Sequence, residues 1–301
     1  MHKILVVVDP TASRWPSVEK AARIARGVGA ALELYVCDVD QDVPEGRSDA
    51  SGIADHRARL RARRLETLER LAVPLREAGL TVTTAAEWHA PLEEGIGHHV
   101  IRTAPDLVVK DTHWRAAVPR AMLTRTDTNL IRQIPAPLLL VRETEWPRRP
   151  LVAVAVDPCH PADYPPALDQ AMAGIGRRLG DALDGHVELL HVLQDPPHLP
   201  GDKVGVLERA QAHAKARAAV ERLAGDSGLA VHYTEGRGLD GLVSLAARRE
   251  PTVLVMGVAS RPRWQHSAGG GTAATVLERA ECDLLAVKPP GFVSPLLVTD
   301  D

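Results

Sequence analysis

Three segments of this chain combine residue types that could cradle a phosphate. One is an aliphatic run that stops at Asp157. The second is Met256-Gly257-Val258-Ala259-Ser260, and the third, nine residues later, is Gly270-Gly271-Thr272 at the start of a helical stretch. Glycine lets backbone approach an anion closely, and the first turn of a helix presents N–H groups with no intrahelical acceptor. An aspartate at a strand end can bond a base or a ribose, or it can serve only as a turn residue before Pro158. The run Ile4 to Pro10, ILVVVDP, sets Asp9 in the same position earlier in the chain.

Other residues suggest different chemistry. His89, His113 and Asp127 fall in segments that an α/β fold brings together, and three such groups could ligate zinc for a metal-assisted hydrolase. The chain has no H-E-x-x-H and no C-x2-C spacing, and ordinary loop histidines are the competing reading. His98 and His99 point to different faces of a helix and do not chelate as a pair. Arg57, Arg59, Arg61, Arg63 and Arg64 crowd one helix. They form either an anion or nucleic-acid patch or a solvated face neutralised by Asp55, Glu66 and Glu69, and we favour the solvated face. There is no G-x-S-x-G elbow and no Walker lysine, so no enzymatic activity is expected from motifs.

The elements that position these residues are written twice. Leu151 to Pro158, LVAVAVDP, answers the first aliphatic run. Pro105-Asp-Leu-Val-Val-Lys110 answers Pro251-Thr-Val-Leu-Val-Met256, and Pro137-Leu-Leu-Leu-Val141 answers Asp283-Leu-Leu-Ala-Val287. Both later pairs keep one offset of 146 residues (105 to 251, 137 to 283), with no gap between them. Two domains are expected, 1–142 and 150–288, joined by a charged, proline-bearing linker 143–149 and followed by a tail 289–301 that docks on a surface. Hydrophobic period predicts strands near 3–8, 31–37, 80–86, 106–110 and 137–141, and near 151–156, 186–193, 229–234, 252–256 and 283–287. Helices are predicted near 16–28, 52–78, 91–102 and 120–133, and near 165–179, 202–224, 239–249 and 271–280. Pro74 is expected to end or kink the second of these. The alternation implies two tandem doubly wound α/β domains, each a five-stranded parallel sheet flanked by helices. Ligands in such sheets bind beyond the carboxyl ends of the strands, where the phosphate-type segments above converge.

With these segments in place, the chain resembles the universal stress protein family. Its nucleotide-binding members carry an Asp at the end of strand 1 and G-x2-G-x9-G-[S/T] after strand 4. Glu87-Trp-His89, Asp106-Leu-Val-Val-Lys110, Cys282-Asp-Leu-Leu-Ala-Val-Lys-Pro289 and Gly291-Phe-Val-Ser-Pro295 carry the resemblance further, over nearly the whole chain. It implies an adenine nucleotide alpha hydrolase-like fold and a non-catalytic stress-response protein. It also implies a pseudo-dimer within one chain, with a homodimer as a further option, and ATP or a related nucleotide as the small-molecule ligand. The matching nucleotide site is Asp157, Gly257, Ser260, Gly270, Gly271 and Thr272. Ser260 replaces the second glycine, and Gly271 precedes Thr272 where Ser or Thr is usual. In the first half Asp111 and Trp114 stand where the paired glycines would be, and Thr124 and Arg125 replace the Gly-[S/T] pair. That half is expected to have lost its phosphate site. A ligand-free interaction scaffold is the remaining alternative.

The totals agree. A formal net charge of −3 gives no global attraction to nucleic acid or an anionic membrane. Three well-separated cysteines imply no disulfide framework. No apolar run reaches the roughly 18 residues a membrane span requires, and no signal peptide is apparent, so a cytoplasmic location is expected.

Overall fold

The computed structural model describes residues 1–38, 50–112, 124–159, 166–195, 205–258, 276 and 279–297. The chain divides into two compact units. One holds the described residues up to Glu145 together with Val293–Leu297; the other runs from Trp146 to Phe292.

The first unit contains β1 (Lys3–Val7), α1 (Pro16–Val28), β2 (Ala31–Asp38), α2 (Ala50–Glu77), β3 (Val82–Trp88), α3 (Leu92–Thr103), β4 (Leu107–Asp111), α4 (Arg125–Gln133) and β5 (Leu138–Val141). Its strands run in the order β3-β2-β1-β4-β5, every neighbouring pair parallel. The second unit contains β6 (Leu151–Ala155), α5 (Pro166–Ala182), β7 (His186–Leu193), α6 (Val206–Ser227), β8 (Ala230–Glu235), α7 (Gly238–Arg249), β9 (Val253–Gly257) and β10 (Asp283–Val287). Its order is β10-β9-β6-β7-β8, again all parallel. Both are the doubly wound sheets that the alternating pattern predicts. The strand order reverses between β1 and β4 in one unit and between β6 and β9 in the other.

The central strands are fully aliphatic because helices cover both their faces. Ile4, Leu5 and Val6, Val108 and Val109, Val152 and Val154, and Leu254 and Val255 are all inaccessible to solvent. Helix α1 starts on Pro16 and buries Val18, Ala21, Ala22, Ile24 and Ala25 at helical spacing. It stops at Gly29, whose φ of 67° suits a residue without a Cβ.

Pro74 neither ends nor breaks α2, which continues to Glu77. The proline sits in the last turn, where its missing N–H forfeits one hydrogen bond. Leu68 and Ala72, six and two residues before it, are fully buried, and Arg76 ties the end of the helix to the Val82 carbonyl at 2.9 Å. Strand β3 extends two residues beyond its predicted end, to Trp88. Of the predicted helix 271–280 only residues 276, 279 and 280 are described.

The tail docks, as its apolar residues suggest. Pro295–Leu297 form a 3-10 turn, and Leu296 is buried against α3, where a Cβ on Gly97 would overlap its Cδ1. Among the described residues no helix is long and apolar enough to cross a membrane.

Candidate functional site

The candidate sites lie at the two switch points, and the two units fill them differently. In the first, β1 gives way to Val8 and Asp9. The Asp9 carboxylate accepts from Thr11 N at 2.8 Å and Thr11 Oγ1 at 2.7 Å, and the Asp9 carbonyl accepts from Trp15 Nε1 at 2.9 Å. Asp9 thus organises the turn leading to α1.

Beside it, β4 ends on Asp111. This carboxylate accepts from the backbone N–H of Ser17 at 2.7 Å and from Ser17 Oγ at 2.5 Å, so it caps the start of α1. Burial pushes its acidity toward a higher pKa, against the pull of the Ser17 bonds and of Lys110 and Lys20. The neighbouring Lys110 turns its ammonium to Asp127 Oδ1 at 2.8 Å and to the Asp111 carbonyl at 3.0 Å.

Asp127 itself is fully buried. Its other oxygen accepts from Thr124 N at 3.0 Å and Thr124 Oγ1 at 2.8 Å, while Thr124 Oγ1 accepts from Asp127 N at 3.0 Å. This reciprocal pair is a capping box with aspartate in place of the usual glutamate. A helix start that could receive a phosphate is therefore closed by its own carboxylate, and the carboxylate by a lysine.

The same contacts bear on zinc. Asp127 can bind a metal only by giving up its lysine and its cap. His89 Nδ1 donates to the Pro91 carbonyl at 3.1 Å, and its ring meets His98 edge-on. His99 points the other way, stacked on Tyr35 with centroids 3.9 Å apart. His113 lies outside the described residues. Among the described residues no group of three or more His, Cys, Asp or Glu side chains is arranged to hold a metal ion.

In the second unit Val253 pairs with Val152 as Leu107 pairs with Ile4 in the first, so Gly257 takes the position equivalent to Asp111. Lys110 has Met256 as its counterpart, and Asp127 has Ala273. The carboxylate at the strand end, the lysine and the capping acid are all missing from these positions.

Asp157, half-buried, follows the end of β6, and its N–H donates to Asp169 Oδ1 at 3.0 Å. Asp169, from the first turn of α5, is almost wholly buried, and burial pushes its pKa up to about 6 from an ordinary 3.8. The Asp157 N–H opposes that rise and the Asp157 carboxylate adds to it. His191 Nδ1 donates to the Val156 carbonyl at 2.8 Å and fixes the strand end. Cys159 is half-buried, its thiol pushed up by burial and then by Asp157, so it is a poor nucleophile. Ser260, Gly270, Gly271 and Thr272 lie outside the described residues. The structure therefore brings Asp157 and Gly257 to the ends of neighbouring strands and leaves the other four unplaced.

Sequence reasoning missed Asp169 and the Lys110–Asp127 pair. A signal existed for the first: Asp169 lies three and four residues before the buried Met172 and Ala173, on the apolar face of its helix.

Comparison with known proteins adds an independent line. The model of the universal stress protein family matches residues 1–142 and 151–288. Universal stress protein E of Escherichia coli K12 is 23% identical, the alignment covering 100% of this chain and 98% of that protein. A crystal structure of a putative universal stress protein from Pseudomonas aeruginosa UCBPP-PA14 is similar with a TM-score of 0.70 and 23% identity, over 96% of this chain and 93% of that one. A universal stress protein from Archaeoglobus fulgidus reaches a TM-score of 0.68 at 15% identity, over 95% and 98%.

Proposed function

Since the chain belongs to the universal stress protein family, with one family domain in each half, we propose that it is a non-catalytic stress-response protein of the cytoplasm that binds an adenine nucleotide such as ATP in its second unit alone. Asp157 takes the base or ribose. Gly257, Ser260, Gly270, Gly271 and Thr272 give backbone and hydroxyl groups to the phosphates.

The observation that carries this reading is the contrast at the strand end. Asp111 in the first unit is spent on α1 and meets an approaching phosphate with like charge. Gly257 in the second unit carries no side chain at all. The buried Asp127 at the start of α4 reinforces the difference, because a phosphate would have to displace a carboxylate already held by Lys110.

Ligand binding raises stability by mass action, about 2.7 kcal/mol at a hundredfold excess over Kd. A thermal-shift titration of the full chain with ATP tests the reading. The wild type is expected to shift upward, and Gly271→Asp to abolish the shift. An equal shift in that variant removes the assignment.

A further inference from the structure

Away from both switch points, the first unit holds a cavity of about 220 Å³ at the carboxyl ends of β2 and β3, beneath α2. Asp38, Arg57, Arg61, Arg64, Glu87 and Trp88 line it. The three arginines stand at i, i+4 and i+7 on α2, so they share one face, and that face looks onto the strand ends rather than only onto solvent. The cluster is largely exposed, as the solvated-face reading expects, and Arg61 and Arg64 also reach the strand ends.

Charge is unevenly matched around this cavity. Arg64 Nε pairs with Asp38 Oδ2 at 2.6 Å. Glu87 accepts from Tyr35 Oη at 3.2 Å and pairs with Arg102. Arg57 sits over the Trp88 ring, 5.8 Å from its centroid. Arg61 differs from the others. Its Nε donates to the Ala86 carbonyl at 2.9 Å, a neutral acceptor, and it has no carboxylate partner among the described residues. One guanidinium held in place by backbone thus keeps its two terminal nitrogens for something else, next to an indole face.

We propose that this cavity binds a small planar aromatic monocarboxylate, its carboxylate on the terminal nitrogens of Arg61 and its ring against Trp88. Three observations select that class. The guanidinium fork matches a carboxylate in two parallel hydrogen bonds. An indole face favours another π-system in offset or edge contact. The volume is below the ~300 Å³ at which pockets for drug-sized ligands begin, so it suits one ring or two fused rings. Asp38 and Glu87 in the same wall oppose a second negative charge, which disfavours a phosphate dianion.

Calorimetric titration of the full chain with indole-3-carboxylate tests the proposal, with indole-3-carboxamide and inorganic phosphate as controls. One equivalent of the carboxylate is expected to bind, and the amide to bind at least about tenfold more weakly. Arg61→Gln and Trp88→Leu should each lower affinity by about tenfold or more, and Trp88→Phe, which keeps a ring, should recover most of it. Arg61 is an exposed helix residue, so the glutamine variant keeps the fold even if the leucine variant does not. Absence of carboxylate binding, equal binding of the amide or of phosphate, or undiminished affinity in Arg61→Gln would each overturn the assignment.

Discussion

The two units share a backbone plan and differ in what they put at its functional edge. Helix α3 begins at Leu92 and α7 at Gly238, again 146 residues apart. Gly95 and Gly241 answer each other, and each lets its helix approach the sheet. A Cβ on Gly95 would overlap His89 and Cys37, and one on Gly241 would come within 2.6 Å of Val192 Cγ1. Both helices end on a left-handed residue, Ala104 with φ 43° and Glu250 with φ 50°. Packing has kept these correspondences. At the switch points it has not: Asp111, Lys110 and Asp127 in one unit have Gly257, Met256 and Ala273 as their sequence counterparts in the other. The first unit has charged side chains at positions where the sequence of the second has a glycine, a methionine and an alanine. In the first unit these residues have structural duties, since Asp111 caps α1 and Asp127 caps α4.

The largest effect should come from breaking the buried pair. Lys110→Met copies the second unit but leaves Asp127 without its cation, and is predicted to lower stability by about 3–5 kcal/mol. Adding Asp127→Ala completes the copy and should recover a large part of that loss, although the α4 cap goes with it. Denaturant unfolding of the two variants checks both. If the single and double variants are equally unstable, the pair is not what holds this corner.

A smaller effect tests the tail. Gly97 makes room for Leu296, whereas its counterpart in the second unit is Val243. Leu296→Ala should cost about 2–3 kcal/mol, at the lower end for a buried leucine because it lies near the chain terminus. Gly97→Val is expected to expel the tail, read as faster proteolysis after Phe292. A tail equally protected in that variant would mean that Leu296 does not depend on the glycine.

The smallest effect is a pH dependence confined to the second unit. Asp169 has a folded pKa of about 6, above its ordinary 3.8. The folded state therefore holds the proton more tightly. The associated stability is complete below the ordinary value and is lost as pH rises through about 6. Asp169→Asn is neutral throughout, and its Oδ1 can still accept from Asp157 N. It is predicted to stabilise the protein by about 1–2 kcal/mol near pH 8 and to give progressively less below about pH 6. A gain independent of pH would show that the carboxylate charge is not the cause.

Much of the architecture was legible because it depends on local pattern. Ile4–Val7 and Leu151–Ala155 are unbroken aliphatic runs, and a strand covered on both faces needs nothing else. Asp9 resolves as a turn residue, as its place before Pro10 allowed. The Lys110–Asp127 pair could not be read, since each residue alone looks like a surface charge and only tertiary packing buries them together. The exposure of the α2 arginines was legible, but the contacts of Arg61 and Arg64 with the strand ends were not. Spacing puts Arg57, Arg61 and Arg64 on one face, but composition does not say whether that face looks out or onto Trp88. The return of the tail from Phe292 to α3 was visible only as apolarity, because its receptor is the absence of a side chain at Gly97.

The most direct test transfers the first unit's block into the second. Native mass spectrometry of the full chain with ATP should show one nucleotide per wild-type chain and none in Gly257→Asp, which places the counterpart of Asp111 at the end of β9. Two nucleotides on the wild type, or one retained by Gly257→Asp, would contradict the division of labour between the two units.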